Sequence, residues 1–383
     1  MSGALTAVLL WSGAAAVWWF LAIALVHGSR RNARRAKPAP KSPDAAGPRL
    51  TLFKPMPAVP DVRTRDALAA AVASFLPQLD VTSQLLVGIP REQADFWKPV
   101  LDHWIRQIPP GCLHVVVRET PRQRSNPKVA WLEVLAPEAT GALWLWSDAD
   151  VVAPAGLLEE LRAELAAHPE AGAVTTPYGI RFTDHPAGWW DALFVNMEFL
   201  PGSLLLGRLG PVPLAFGAAV LFRAEDFRKR VSWEELGASL ADDHELGRRL
   251  APVIISRVVT DTCALETRLG AALRHVYRWQ KTIRWCRPGG FAALVAILPL
   301  LGWMIVCGMR PTDPAAWVGL AGQYVLECVV AGILLQRVGF RGPALGWLAV
   351  LAWPAVRAGV WLAAWLPIPV TWGDTRPWER PVR

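Results

Sequence analysis

The chain has 383 residues, a formal net charge of +8, 53% hydrophobic against 19% charged residues, and 21 tryptophans. That balance disfavours an ordinary soluble protein and favours a membrane class. The excess Lys and Arg sits beside apolar stretches, where it reads as membrane topology and phosphate binding rather than as a nucleic-acid footprint. Cys112, Cys263, Cys286, Cys307 and Cys328 form neither a CxxC pair nor zinc or disulfide spacings, so they read as reduced structural residues.

The uncharged run from Leu5 to Val26 is long enough, at about 1.5 Å per residue, to cross a hydrocarbon core of about 30 Å. It defines an N-terminal transmembrane anchor over 1–28. The basic cluster Arg30, Arg31, Arg34, Arg35 and Lys37 follows directly, which argues against a cleaved signal peptide and places the next domain on the cytoplasmic face. A basic, proline-rich linker covers 29–49. Over 50–268, short β-type runs (LTLF from Leu50, QLLVGI from Gln84, LHVVV from Leu113, LWLW from Leu143, AVTT from Ala173) alternate with helical stretches such as TRDALAAAVASFL. That alternation predicts an α/β domain with a largely parallel sheet.

Residues 269–288 predict an interfacial amphipathic helix, with Arg274, His275, Arg278, Lys281 and Arg284 among Leu269, Leu273, Val276, Trp279, Ile283 and Trp285. About three membrane segments fill 289–372, namely Gly289 to Gly308, Pro314 to Leu335 and Pro343 to about Trp365, before a tail at 373–383. The first is a clean span. The second carries Gln323 and Glu327 and the third Pro354 and Arg357, groups that are costly in lipid unless partnered. Glu327 and Arg357 are candidates to pair, although counting from the cytoplasmic ends sets them roughly 9 Å apart in depth, and the last segment reads equally as interfacial or re-entrant. Trp189 to Gly210 is a further apolar element, too interrupted for a clear span, that suits a membrane surface or the core around an acceptor tunnel.

The strongest chemical signal is LWLWSDADVV, where an apolar strand runs into Asp148 and Asp150. Carboxylates two apart at a strand end can ligate a hard divalent cation whose other positions take diphosphate oxygens and water; a solvated turn produces the same pattern. In NPKV, Asn126 and Lys128 open a helix, which suits either an anionic donor or an ordinary N-cap with proline at the first position. Asp95 suits a nucleotide contact or a helix-capping acid. LADDHELG supplies Asp242, Asp243 and Glu245, among which one acid can serve as general base; the other reading is a solvated helix N-terminus.

Taken in order, FKPMPAVPD, Asp95, NPKV, SDAD, FGAAVLFR, LADDHELG and HVYRW resemble the motif series of family 2 and family 21 glycosyltransferases, most nearly ceramide glucosyltransferases and hopanoid-associated relatives. The resemblance implies an α/β nucleotide-diphosphate-sugar transferase fold of the A type, a mostly parallel mixed sheet, N- and C-terminal transmembrane helices and inversion at the anomeric carbon. It implies donor binding by Asp95, Asn126, Lys128, Asp148 and Arg278, Mg2+ or Mn2+ on Asp148 and Asp150, and Asp243 as catalytic base. Asp242, His275 and Trp279 fall in the acceptor and diphosphate region; His275, Arg278 and Trp279 match the family's (Gln/Arg/His)-x-x-Arg-Trp signature. The implied partners are a UDP-sugar, a ceramide-like or hopanoid-like lipid and the membrane, here a bacterial inner membrane with the catalytic domain on its cytoplasmic face, and no nucleic acid. Two features depart from the family: Arg91-Glu92-Gln93-Ala94-Asp95 replaces a richer acidic cluster, and Val231 to Gly237 lacks a double glycine. The competing functions are a processive polysaccharide synthase and a catalytically inactive membrane protein that binds sugar-lipids.

Overall fold

The computed structural model describes residues 3–35 and 49–370, without the side chains of 30–35. The basic cluster's side chains, most of the expected linker and the 373–383 tail lie outside the described residues. The strands are β1 (Leu50–Pro55), β2 (Ser83–Pro90), β3 (Leu113–Arg118), β4 (Leu143–Ser147), β5 (Val151–Val152), β6 (Ala173–Thr175), β7 (Tyr178–Ile180), β8 (Ala219–Arg223), β9 (Val253–Ile255) and β10 (Thr260–Thr262). Two compact units result, one from Arg31–Gly179 and Ser203–Cys263, the other from Met1–Arg30, Ile180–Gly202 and Ala264–Val382.

The first unit is built on a seven-stranded sheet of order β3-β2-β1-β4-β8-β6-β9, with a three-stranded sheet β5-β10-β7 beside it. The pairs β1–β2, β2–β3, β1–β4 and β6–β9 are parallel, whereas β8 runs antiparallel to β4 and β6. This is the mostly parallel mixed sheet expected. Every position of β1, β2 and β4 is buried, which explains why their apolar residues show no strict alternation; Thr51, Lys54, Ser83 and Gln84 are the buried polar exceptions in β1 and β2. Their aromatic side chains form the core: Phe53 lies 5.1 Å from Trp144, and Trp146 lies 5.1 Å from both Phe222 and Phe227. Burying each large side chain contributes about 1.5–3 kcal/mol.

The helix Gly3–Arg35 includes an apolar stretch, Gly3–Ser29, long enough to span a membrane. Gly188–Leu209, Pro314–Val338 and Ala344–Ala363 meet the same criterion, giving four such helices among the described residues. Leu10, Val17, Phe20 and Val318 remain at least 70% exposed, as lipid-facing side chains would be. The stretch expected as a clean span is instead a pair, Pro288–Ile297 and Pro299–Met309, bent by 65°. Pro299 lacks the N–H that would continue the helix and restricts Leu298 before it. The doubtful last segment is a continuous helix through Pro354.

The element from Trp189 is also continuous, passing Pro201 and Gly202 by way of a π-helical turn at Val195–Phe199. The amphipathic helix is Leu269–Cys286, with Ala272, Val276 and Gln280 on its buried face. Its basic side is not all available to phosphate. The Lys281 ammonium donates to the carbonyls of Ala364 and Leu366, Arg284 donates to Ala364 O at 2.8 Å and the Tyr277 hydroxyl to Ile368 O at 2.9 Å. These donors satisfy the carbonyl at the C-cap of the helix Trp347–Ala363 and two carbonyls just beyond it.

Arg357 is buried at a polar junction. Its Nε donates to Glu198 at 2.8 Å, Nη1 to Glu327 at 3.3 Å and Nη2 to Ile297 O at 2.8 Å, and its guanidinium lies 4.7 Å from the Trp19 ring. The candidate Glu327–Arg357 pair forms, but Glu198, on the helix from Gly188, is the nearer acid. Gln280 and Gln323 donate to Glu198 and Glu327 at 2.9 and 3.0 Å.

Candidate active site

Register delivers Asp148 to the end of the large sheet. The pairing of Ser147 with Ala219 places Asp148 opposite the turn that leads into β8. On the other side, β1 sets Lys54 beside Ser147, and its ammonium donates to Ser147 Oγ at 2.9 Å and to the Asp148 carbonyl at 2.8 Å. Burial pushes the Lys54 pKa down to about 7 against the opposing charges of Asp150 and Asp148. The motif FKPMPAVPD assigns Lys54 no role; its signal in the sequence is a charged residue inside a β-type run. Asp150 is half-buried, its carbonyl accepts from Cys263 N at 3.2 Å, and burial followed by the Asp150 charge pushes the Cys263 thiol up to about 12.

The third acidic motif arrives by close packing. Gly247 in LADDHELG lies against the backbone of Leu214 and Ala215, where an added Cβ would fall 2.1 Å from Ala215 N. Only glycine lets the helix Asp242–Arg249 approach the segment leading to Gly217 so closely. At Gly217 a Cβ would stand 3.1 Å from Asp148 Oδ2, 3.3 Å from Asp243 Oδ2 and 3.5 Å from Lys128 Nζ. Two motifs far apart in the chain therefore converge on one glycine. The substitution Gly217→Ala is expected to push these carboxylates apart and lower turnover by about tenfold or more with little loss of folded protein, because small misplacements of reacting groups are costly. Steady-state rates beside thermal unfolding check it.

Lys128 ties the cluster together, with Nζ 2.6 Å from Asp148 Oδ1 and 3.0 Å from Asp242 Oδ2. Burial opposes its charge, but Asp148, Asp242 and Asp243 outweigh it and hold the ammonium above the usual lysine range. Asn126 is the N-cap of helix Pro127–Leu135: its Oδ1 accepts from Lys128 N and Val129 N, while Nδ2 donates to Ser239 O and Asp242 Oδ1. Fully buried, Asn126 orients the cluster. Burial raises the Asp243 carboxyl to about 6, assisted by the charges of Asp242 and Asp148 and opposed by Lys128 and the His244 N–H. Asp243 is nonetheless only half-buried, so a substrate can reach it.

Asp95 is not gathered into this network; it stands exposed in the first turn of the helix Ala94–Ile105, where an acid suits the helix dipole. Within the second unit, the imidazole of His275 lies 4.2 Å from Trp279, which stacks on Phe194 at 5.0 Å, and Arg278 is half-buried in the same helix. His275 Nδ1 is 3.2 Å from Asp191 Oδ2, a contact absent from the motif reading because Asp191 sits in an apolar run.

Among the described residues no group of three or more His, Cys, Asp or Glu side chains could hold a metal. Asp148 and Asp150 offer two oxygen-donor side chains, which fits a hard cation only when a diphosphate and water complete its shell. The mixed α/β sheet thus gathers Asp148, Asp242, Asp243 and Lys128 beyond the end of β4.

The model of "Glycosyl transferase family 21" matches residues 11–376. The chain belongs to glycosyltransferase family 21 and is a glycosyltransferase. No curated protein matches it. Solved structures similar to it include the mannosyltransferase PcManGT from Pyrobaculum calidifontis, in complex with GDP-Man and Mn2+, at 16% identity and TM-score 0.43 over 92% of this chain and 97% of that one. Another is GalNAc-T7 with UDP, GalNAc and Mn2+, at 10% identity and TM-score 0.42 over 63% of this chain and 51% of that one.

Proposed function

We propose that this protein transfers a sugar, with inversion, from a UDP-sugar to a hydroxyl of a ceramide-like or hopanoid-like lipid on the cytoplasmic face of a bacterial inner membrane. The observation that carries the reading is the approach of Asp148 and Asp243 to Gly217 with Lys128 between Asp148 and Asp242. Asp243 takes the proton of the acceptor hydroxyl as that oxygen attacks the anomeric carbon. Lys128 contacts donor phosphate, and Asn126 and Lys54 hold the aspartates in place. Asp148 and Asp150 would hold Mg2+ or Mn2+, which neutralises charge growing on the leaving diphosphate. Apolar helices long enough to span a membrane support a lipid acceptor and an integral location.

Mass spectrometry of lipids from cells with and without the gene tests the assignment, since it reads the acceptor and the added mass together. A hexose-shifted lipid is expected only when the gene is present; a change confined to polysaccharide would overturn it. With purified protein, excess EDTA is expected to abolish transfer, and Mg2+ or Mn2+ to restore it. Unaltered transfer in chelator would remove the metal from the mechanism.

A further inference from the structure

Asp191 is an acid where the local sequence calls for none. It lies in the apolar helix Gly188–Phe194, every residue of which is buried, and its side chain is only 3% exposed. Its Oδ2 meets His275 Nδ1, whereas Oδ1 has no hydrogen-bond partner among the described residues. Placing a carboxylate among apolar neighbours with one partner costs free energy that an apolar residue would avoid, so the contact with His275 is the feature to explain.

The chemistry of that contact is one-directional. An ionised carboxylate only accepts hydrogen bonds, so the proton must sit on Nδ1, and in a neutral ring this leaves Nε2 as an acceptor. The ring is held by the Trp279 contact, and Trp279 by its stack on Phe194. The His275 side chain is 25% exposed, and Nε2 makes no hydrogen bond among the described residues. An oriented, accessible acceptor nitrogen beside an aromatic surface suits the edge of an apolar molecule that carries a hydroxyl.

We infer that Asp191 is a positioning residue that fixes the Nδ1–H tautomer of His275, so that Nε2 accepts a hydrogen bond from a head-group hydroxyl of the lipid acceptor. The inference rests on the lipid-transfer reading above and adds to it the group by which the acceptor is recognised. Asp191→Asn keeps the shape, but its amide can donate to Nδ1 and allow the opposite tautomer, in which Nε2 carries the proton and no longer accepts.

The test uses the full chain in detergent with a mixture of UDP-hexoses and Mn2+, and vesicles carrying either ceramide or a hopanoid polyol. Asp191→Asn is expected to raise the acceptor KM by about tenfold or more, the scale of one lost hydrogen bond to a polar group, while UDP affinity is unchanged. In a His275→Gln background the same substitution is expected to leave the acceptor KM unchanged, since the ring it positions is gone. An equal effect in both backgrounds, or an unchanged KM in the wild-type background, overturns the inference. Absence of transfer to either lipid by the wild type defeats the acceptor reading instead.

A second measurement does not depend on the folding of Asp191→Asn. In 15N-histidine spectra of the wild-type chain at pH 8, the resonance lost in His275→Gln is expected to show a protonated Nδ1 and an unprotonated Nε2. The reverse pattern overturns the proposal.

Discussion

Asp243→Asn is expected to lower lipid glycosylation by about 100- to 10,000-fold, the usual loss when a general base is removed, without weakening UDP binding. The amide keeps the size of the side chain and can still accept the 2.8 Å hydrogen bond from His244 N, so the change falls on basicity. Asp243 must be ionised to take a proton, and its carboxyl is raised to about 6 by burial and by the charges of Asp242 and Asp148. The sign follows: kcat/KM of the wild type should rise with pH through about 6 and level off above it. Lys128→Gln removes a charge that lowers the Asp243 pKa, so its acidic limb should move to higher pH. Rates and pH profiles on purified protein check these outcomes, and near-normal turnover of Asp243→Asn would reject its role.

Arg357→Ala is expected to cost about 3–5 kcal/mol, because it leaves two acids buried without their cation. The Arg357 and Glu327 side chains are each 1% exposed and Glu198 is 8% exposed, so water offers little compensation. The guanidinium also serves the Ile297 carbonyl beside the break at Leu298, which alanine would leave without that donor. Exchanging charges through Glu327→Arg with Arg357→Glu should fail to restore the fold, since the relocated carboxylate would face Glu198. Neutralising all three, with Arg357→Met, Glu198→Gln and Glu327→Gln, should recover most of the loss, as apolar or neutral replacements of buried ionic groups often do. The fraction remaining folded after heating in detergent distinguishes these outcomes; wild-type stability in Arg357→Ala alone would show that the junction contributes little.

Local pattern explains what could be read before the structure. LWLW running into Asp148 predicts a buried strand with acids at its end, and β4 is that strand. NPKV carries both a helix N-cap and a lysine, and Asn126 and Lys128 act in those separate ways. Periodicity misled where the backbone departs from a regular helix. The π turn at Val195–Phe199 shifts the apolar face, so the element from Trp189 reads as interrupted although the helix continues. Proline was an uneven guide as well: the chain bends before Pro299 but remains helical through Pro354.

By itself the sequence determined the kinds of element and the order of the motifs, because hydrophobic period, capping residues and acids at strand ends act over a few neighbouring residues. Which groups meet was decided only by tertiary structure. The β4–β8 register and the close approach at Gly247 bring Asp148 and Asp243 to Gly217, while helix packing makes Glu198 the nearer partner of Arg357 and seats Asp191 against His275. The physical reason is that a charge buried by distant elements must find its partner among whatever those elements carry, and that choice leaves no local mark on the chain.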